Sequence, residues 1–169
     1  MPEVSNPYCM MIHEKKLLQY WLMKSEPDEV SIDDLQRLER HHWDGVRGYQ
    51  ARNFMRDDMR EGDMVIFYHS SVTPAGPAGI ARVACLAYPD FTQWDKKHKY
   101  YDPKASKEKP IWYMVDVMFV KKFSELVPRA TLAAAPSLKN SMLWTHNRLS
   151  IIPLSKKEYD TIVRLGEKS

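Results

Sequence analysis

The stretch "MVIFYHSSVTPAGPAGIARVACLAY", residues 64–88, decides the fold class. Residues 64–71 are dense in β-branched and aromatic side chains, the composition of a strand. The proline–glycine run at 72–79 interrupts it, and residues 80–88 read as a partner strand. Together they predict a hairpin with a long loop. Strands joined by a loop run antiparallel, whereas a doubly wound parallel sheet needs a helical crossover at each step.

On the N-terminal side, "QYWLM" at 19–23 is a first short strand, and Pro27 stops it because proline cannot extend a ladder. Ser31 then reads as a helix N-cap, with Asp33 and Asp34 in the first turn and Ile32, Leu35 and Leu38 on one apolar side. Gly45 and Gly48 bracket a turn. A short helix is predicted from near Gln50, with Phe54, Met55 and Met59 turned inward. On the C-terminal side, "IWYMVDVMFV" at 111–120 is apolar on both faces apart from Asp116, which predicts a central strand. A short helix at 131–135 and a strand at 149–154 follow. Ser155 and Glu158 then form the capping box of a last helix, with Gly166 as the residue just past its end. The lysine-rich excursion 89–109 retains Phe91, Trp94, Tyr100 and Tyr101, too many aromatics for a disordered segment. The expected class is α+β: a mainly antiparallel sheet with helices at its edges.

At 169 residues the chain is long enough for one full hydrophobic core and short for two. Residues 19–166 are expected to form one domain, with 1–18 as a partly ordered leader. No apolar run nears the roughly 20 residues of a membrane span. The leader lacks the basic start and clean apolar stretch of a targeting peptide. Cys9 and Cys85 provide neither a disulfide framework nor ligand spacing, so a reducing intracellular compartment, nuclear or cytoplasmic, is expected. A net charge of +3 permits a polyanionic partner without establishing one.

Several chemistries are disfavoured. His41 and His42 are adjacent, so their side chains are expected to point apart. No Cys/His pair has metal-ligand spacing, and no metal or other cofactor is expected. There is no nucleophile elbow, and His69 and Ser70 should face opposite sides of a strand. The glycine runs match neither a Walker nor a Rossmann loop. No catalytic residue is therefore assigned. What remains are aromatic rings at strand ends and in turns (Trp43, Tyr49, Tyr68, Tyr88, Phe91, Trp94, Tyr101), interleaved with Lys24, Arg47, Arg52 and Arg56. Ser25 and Asn53 are short polar groups able to reach a base edge. Stacking a base on such a ring is worth ~1–3 kcal/mol, and guanidinium groups suit phosphates. Each residue taken singly also has a structural reading: Trp43 as core, Arg52 and Arg56 as a solvated face, Lys24 as a bridge to Glu26 or Asp28.

The blocks "YWLMKSEPDEVSIDDL", "WDGVRGYQARNFMRDDMREGDMVIFYHSS", "GIARVACLAYPD", "YYDPKA", "WYMVDVMFV" and "RLSIIPLSKKEYDTI" occur in this order. The chain thereby resembles the EVE domain family over about residues 19–166. The resemblance implies a PUA-like curled β-barrel with helices outside and no characteristic catalytic activity. It implies a partner in DNA or RNA carrying a modified base, such as modified cytosine; the oligomeric state is left open, with a monomer favoured. It points to Lys24 and Ser25 of "KSEP"; Trp43, Gly45, Val46 and Arg47 of "WDGVR"; Arg52 and Asn53 of "QARN"; Tyr68, His69 and Ser70 of "FYHS"; Tyr88 and Asp90 of "YPD"; and Arg148 of "RLS". On this reading Ser25 bonds a flipped base, Trp43 is one wall of the pocket, and Tyr88 or Trp94 is the opposite wall. Arg47 and Arg52 hold the backbone. Gly48 and Ser71 depart from the family's usual asparagines. The competing readings are a small-molecule or nucleotide binder using the same pocket, and an enzyme acting on the modified base.

Overall fold

A computed structural model describes residues 17–168; most of the expected leader lies outside the described residues. The element order is β1 (Tyr20–Ser25), α1 (Ile32–Leu38), β2 (Arg40–His42), α2 (Tyr49–Asn53), a π-helical turn (Phe54–Asp58), β3 (Met64–His69), β4 (Gly76–Val83), β5 (Tyr88–Pro89), a 3-10 turn (Phe91–Trp94), β6 (Tyr113–Met114), β7 (Asp116–Lys122), α3 (Arg129–Ala134), a second 3-10 turn (Pro136–Leu138), α4 (Met142–Thr145), β8 (Ile151–Leu154) and α5 (Lys156–Glu167).

Six strands form one sheet in the order β2-β7-β4-β3-β1-β8, and β5 pairs with β6 in a small second sheet. Every neighbour pair is antiparallel except β1 and β3. The α+β class and the β3–β4 hairpin are as expected. The sheet does not close: β2 and β8 are its edges. Strand alternation divides its two faces. Trp21, Met23, Val65 and Phe67 pack towards α1, α2 and the π turn. Leu22, Ile66 and Tyr68 pack towards α3, α4 and α5. Fully burying one large apolar side chain of this kind contributes ~1.5–3 kcal/mol.

Several elements differ from expectation. The second hairpin strand starts inside the proline–glycine run, at Gly76, and ends at Val83. The segment expected to be one central strand divides at Val115: β6 joins the small sheet and β7 the large one. Asp116 marks the division. Its carboxylate accepts from Arg40 Nε at 2.9 Å and from the Tyr88 hydroxyl at 2.5 Å. β7 lies next to the edge, and its only outer neighbour is the three-residue β2, so Val120 is exposed. α1 has the expected Ser31 cap, completed by Asp34, but Leu38 is exposed. Gly166 lies within α5, not beyond it. A Cβ there would sit 2.5 Å from the Phe123 ring, so this glycine serves close packing.

The single parallel pair has a functional consequence. β1 and β3 end side by side, with Ser25 opposite His69 and the Ser70 N–H donating to the Ser25 carbonyl at 2.9 Å. Two strands that stop together leave room beyond their carboxyl ends, where ligands commonly bind in sheets with parallel strands.

Candidate functional site

Beyond those strand ends lies an open cleft of about 560 Å³. Lys24, Ser25 and Glu26 form one side, and Glu29 and Val30 come from the loop before α1. The run from His41 to Arg47 forms the facing wall. Ser70, Ser71, Tyr100, Asn147, Arg148 and Ser150 complete it.

Ser25 is already committed as a donor, because its hydroxyl bonds the Val30 carbonyl at 2.6 Å. Towards the cleft it has acceptor capacity to offer. Lys24 Nζ donates to the Asn147 carbonyl at 3.2 Å and lies 5.9 Å from the centre of the Tyr68 ring. Burial and then the nearby Arg129 cation lower the Lys24 ammonium below its ordinary pKa. Arg148 is exposed and has no side-chain partner among the described residues. Ser71 holds a positive φ of 59°, a region that asparagine tolerates better than serine, and its hydroxyl donates to Glu26 at 3.2 Å.

Trp43 is only 8% exposed and packs edge-on against Phe67, with ring centroids 5.4 Å apart. It belongs to the core and reaches the cleft only by what little surface it keeps. Arg47 has every donor in use. Its Nε and Nη2 bond the Tyr100 carbonyl at 3.2 and 2.8 Å. Nη1 bonds the Val46 carbonyl and Asp90 at 3.0 Å each, and Nη2 also bonds Thr92 Oγ1 at 3.0 Å. Asp90, fully buried, also accepts from the Gly45 N–H at 2.8 Å and twice from Thr92. Burial pushes the Asp90 carboxyl up, but the bonds from Thr92, Gly45 and Arg47 outweigh it and hold its pKa below the usual value. Gly45 has φ +83°, and a Cβ there would meet the Tyr100 ring at 2.3 Å. The "WDGVR" turn is thus clasped to the 89–109 excursion by an arginine and an aspartate.

The remaining sequence-assigned residues lie outside the cleft lining. Arg52 donates to Asn53 Oδ1 and to the Ile111 carbonyl and lies 4.9 Å from the centre of the Tyr49 ring. Tyr68 is buried in the second core cluster. Tyr88 is tied to Asp116, and burial followed by that hydrogen bond raises its hydroxyl pKa. Trp94 buries an indole N–H that has no partner among the described residues. Sequence reasoning assigned no role here to Glu26, Glu29, Asp44, Tyr100 or Asn147. The sequence reading brought the excursion to the pocket through Asp90 and Trp94, whereas the residue that lines the cleft is Tyr100. The ion pair of Lys99 with Glu29 and the stacking of Arg47 near Tyr100 bring it there.

His69 lies behind the strand ends. Its Nε2 accepts the Ile32 N–H at 3.1 Å, which requires an unprotonated nitrogen. Burial lowers its pKa; Asp33 opposes that and Lys122 adds to it. The unfolded chain then takes up this proton at a higher pH than the folded one. Stability is fully present above the unfolded pKa of about 6.5 and falls as pH drops from there towards the folded value. The urea midpoint is therefore expected to fall between about pH 7 and pH 5 in the native protein. It should fall less in His69→Gln; an equal fall in both would remove His69 from the account.

Residues 19–165 match the model of the EVE domain. The chain is 42% identical to human thymocyte nuclear protein 1 over 91% of its own length and 76% of that protein's. A protein from Leishmania major is structurally similar, with a TM-score of 0.86 at 49% identity over 89% of this chain and 95% of that one. The human THYN1 protein, crystallised in complex with 5-methylcytosine containing DNA, has a TM-score of 0.82 at 42% identity, covering 89% of this chain and 99% of that one. With the family model spanning nearly the whole described chain, this protein belongs to the EVE domain family.

Proposed function

We propose that the cleft binds a modified nucleobase, 5-methylcytosine first among the candidates, flipped out of nucleic acid, and that the protein is a reader without catalytic activity. The observation that carries this reading is the cleft at the paired ends of β1 and β3. It falls within the roughly 300–1,000 Å³ of small-ligand sites, and it occurs in a chain 42% identical to a protein solved with 5-methylcytosine containing DNA. Ser25 Oγ, its proton directed to Val30, accepts from the exocyclic amine of cytosine. Val46 and the exposed edge of Trp43 offer apolar contact to a methyl group, which is worth ~1–3 kcal/mol. The sheet, with helices on both faces, serves on this reading as an open variant of the PUA-like barrel. Residues 19–166 act as one domain, working in the nucleus or cytoplasm.

The phosphates belong to part of the set of cations the sequence suggested, Lys24 and Arg148, joined by Arg129. Arg47 and Arg52 are held by intramolecular bonds. Arg148 and Lys24 stand at the cleft, and Arg129 lies beside it, bonded to Asn147 at 3.2 Å and 4.8 Å from the centre of the Trp144 ring. Oligonucleotides with and without 5-methylcytosine, single- and double-stranded, titrated at two salt concentrations, test the reading. Preference for the methylated strand and a fall in affinity with salt support it. Equal binding of both bases, or a flat salt response, removes it; a flat response would favour a small-molecule ligand. Arg148→Ala is expected to weaken binding of all sequences alike and to lower the salt slope by about 0.7–0.9. It should leave the melting temperature unchanged, because the Arg148 side chain makes no hydrogen bond or ion pair among the described residues.

A further inference from the structure

We propose that His41, His42 and Asp44 form a binding site for one divalent transition-metal ion, with zinc the ion of choice. Residues adjacent in a regular strand send their side chains to opposite faces, and on that ground the two histidines were expected to point apart. The structure overturns the expectation. β2 ends at His42, and there the two imidazole rings stack with centroids 4.3 Å apart and planes 29° from parallel. One ring nitrogen from each histidine and one Asp44 carboxylate oxygen all lie within 4.8 Å of one another. The His42 Nε2 to Asp44 Oδ1 distance is 3.7 Å.

The donor set selects the class of ion. Two imidazoles and a carboxylate suit zinc and its borderline neighbours; magnesium and calcium require oxygen ligands. Three protein ligands make an open site with one position left for water or a ligand. All three residues line the cleft, as do Glu26 and Glu29, the latter paired with Lys99. Ligand bonds of about 2.0–2.2 Å require the three atoms to close by roughly an ångström from their outer limit, and the stacked rings to turn so that their in-plane lone pairs converge. The side chains are free to do so. Neither imidazole of the pair makes a hydrogen bond to another residue among the described residues, apart from the loose His42–Asp44 approach, and His42 and Asp44 keep 36% and 23% side-chain exposure. His42 is steadied by Phe91, edge-on at 5.1 Å, and Asp44 by its place in the clasped turn before Gly45. The site goes beyond the reading of the cleft as a base pocket and does not depend on it, because it is tested on the protein alone.

The test is titration of zinc chloride into the full chain by calorimetry at neutral pH, without nucleic acid. One site per chain is expected, and excess magnesium should not displace the zinc. Loss of a group that only supports a metal ligand costs about 10–100-fold in affinity. His42→Ala and Asp44→Asn should therefore each weaken zinc binding by at least about tenfold. Asp44→Asn is nearly isosteric and keeps the test valid if His42→Ala melts early. Zinc should raise the melting temperature of the native chain and not that of a His41→Ala, His42→Ala double variant. Undiminished zinc affinity in the double variant, displacement by magnesium, or no zinc binding by the native chain would each overturn the proposal.

Discussion

Trp43→Ala is expected to lower the stability of the domain by about 3–5 kcal/mol, the usual cost of deleting a buried tryptophan side chain. In a domain of this size that is a drop in melting temperature on the order of 10 °C. The reason lies in the packing. Trp43 is 8% exposed, meets Phe67 edge-on and belongs to the cluster that includes Trp21, Met23 and Val65. The loss is one of side-chain packing alone, because alanine keeps the backbone N–H that donates to the Val115 carbonyl at 2.8 Å. A solvent-facing cage wall would behave otherwise: its removal would cost affinity and leave the melt unchanged. Trp43→Phe keeps an aromatic ring in the core and is expected to lose much less stability. Thermal melts of the two variants decide the matter. A native-like melt for Trp43→Ala, with reduced binding of methylated oligonucleotides, would return Trp43 to the role of pocket wall.

Asp90→Asn is expected to be comparably damaging although it changes one atom. Both carboxylate oxygens of Asp90 face donors: one receives the Gly45 N–H and Arg47, the other the N–H and hydroxyl of Thr92. An asparagine must turn its NH₂ towards one of these pairs, placing donor against donor in a fully buried position. It also leaves the Arg47 charge without its carboxylate. Breaking a buried pair from one side costs about 3–5 kcal/mol. The lower end applies here because the Arg47 side chain retains 22% exposure. The damage is also local to the cleft, since the same clasp holds Tyr100 over Gly45. Arg47→Ala should destabilise in the same way. If Arg47 instead met phosphate, its loss would lower the salt slope of DNA binding and spare the melt.

Much of the fold was legible because it depends on local chemistry. The β3–β4 hairpin followed from β-rich segments around a proline–glycine run, and the caps of α1 and α5 from Ser31 with its first-turn acids and from the Ser155–Glu158 spacing. Less local features were read wrongly. Residues 111–120 look like one strand because apolar residues on both faces say only that the segment is buried. The split at Val115 comes from Asp116, whose partners Arg40 and Tyr88 are 76 and 28 residues away. Gly166 was read as a helix terminator because sequence records the absence of a side chain and not the Phe123 ring that requires it.

The candidate site divides in the same way. The family resemblance assigned Lys24, Ser25, the "WDGVR" turn, Ser70 and Arg148 to one site, and the cleft gathers them. Amino-acid type could not say which cations are free. Arg47, Arg52 and Arg148 are identical as letters, but two are consumed by hydrogen bonds and one has no partner among the described residues. Nor could it foresee that two neighbouring histidines would stack at a strand end beside Asp44. The sequence by itself determined the α+β class and the order of most elements, because capping, periodicity and turn chemistry act between residues close in the chain, and its ordered motif blocks determined the family. Only the tertiary structure decided which side chains are core, which are clasp and which face the cleft. Burial and hydrogen-bond saturation depend on partners that the chain brings together only when it folds.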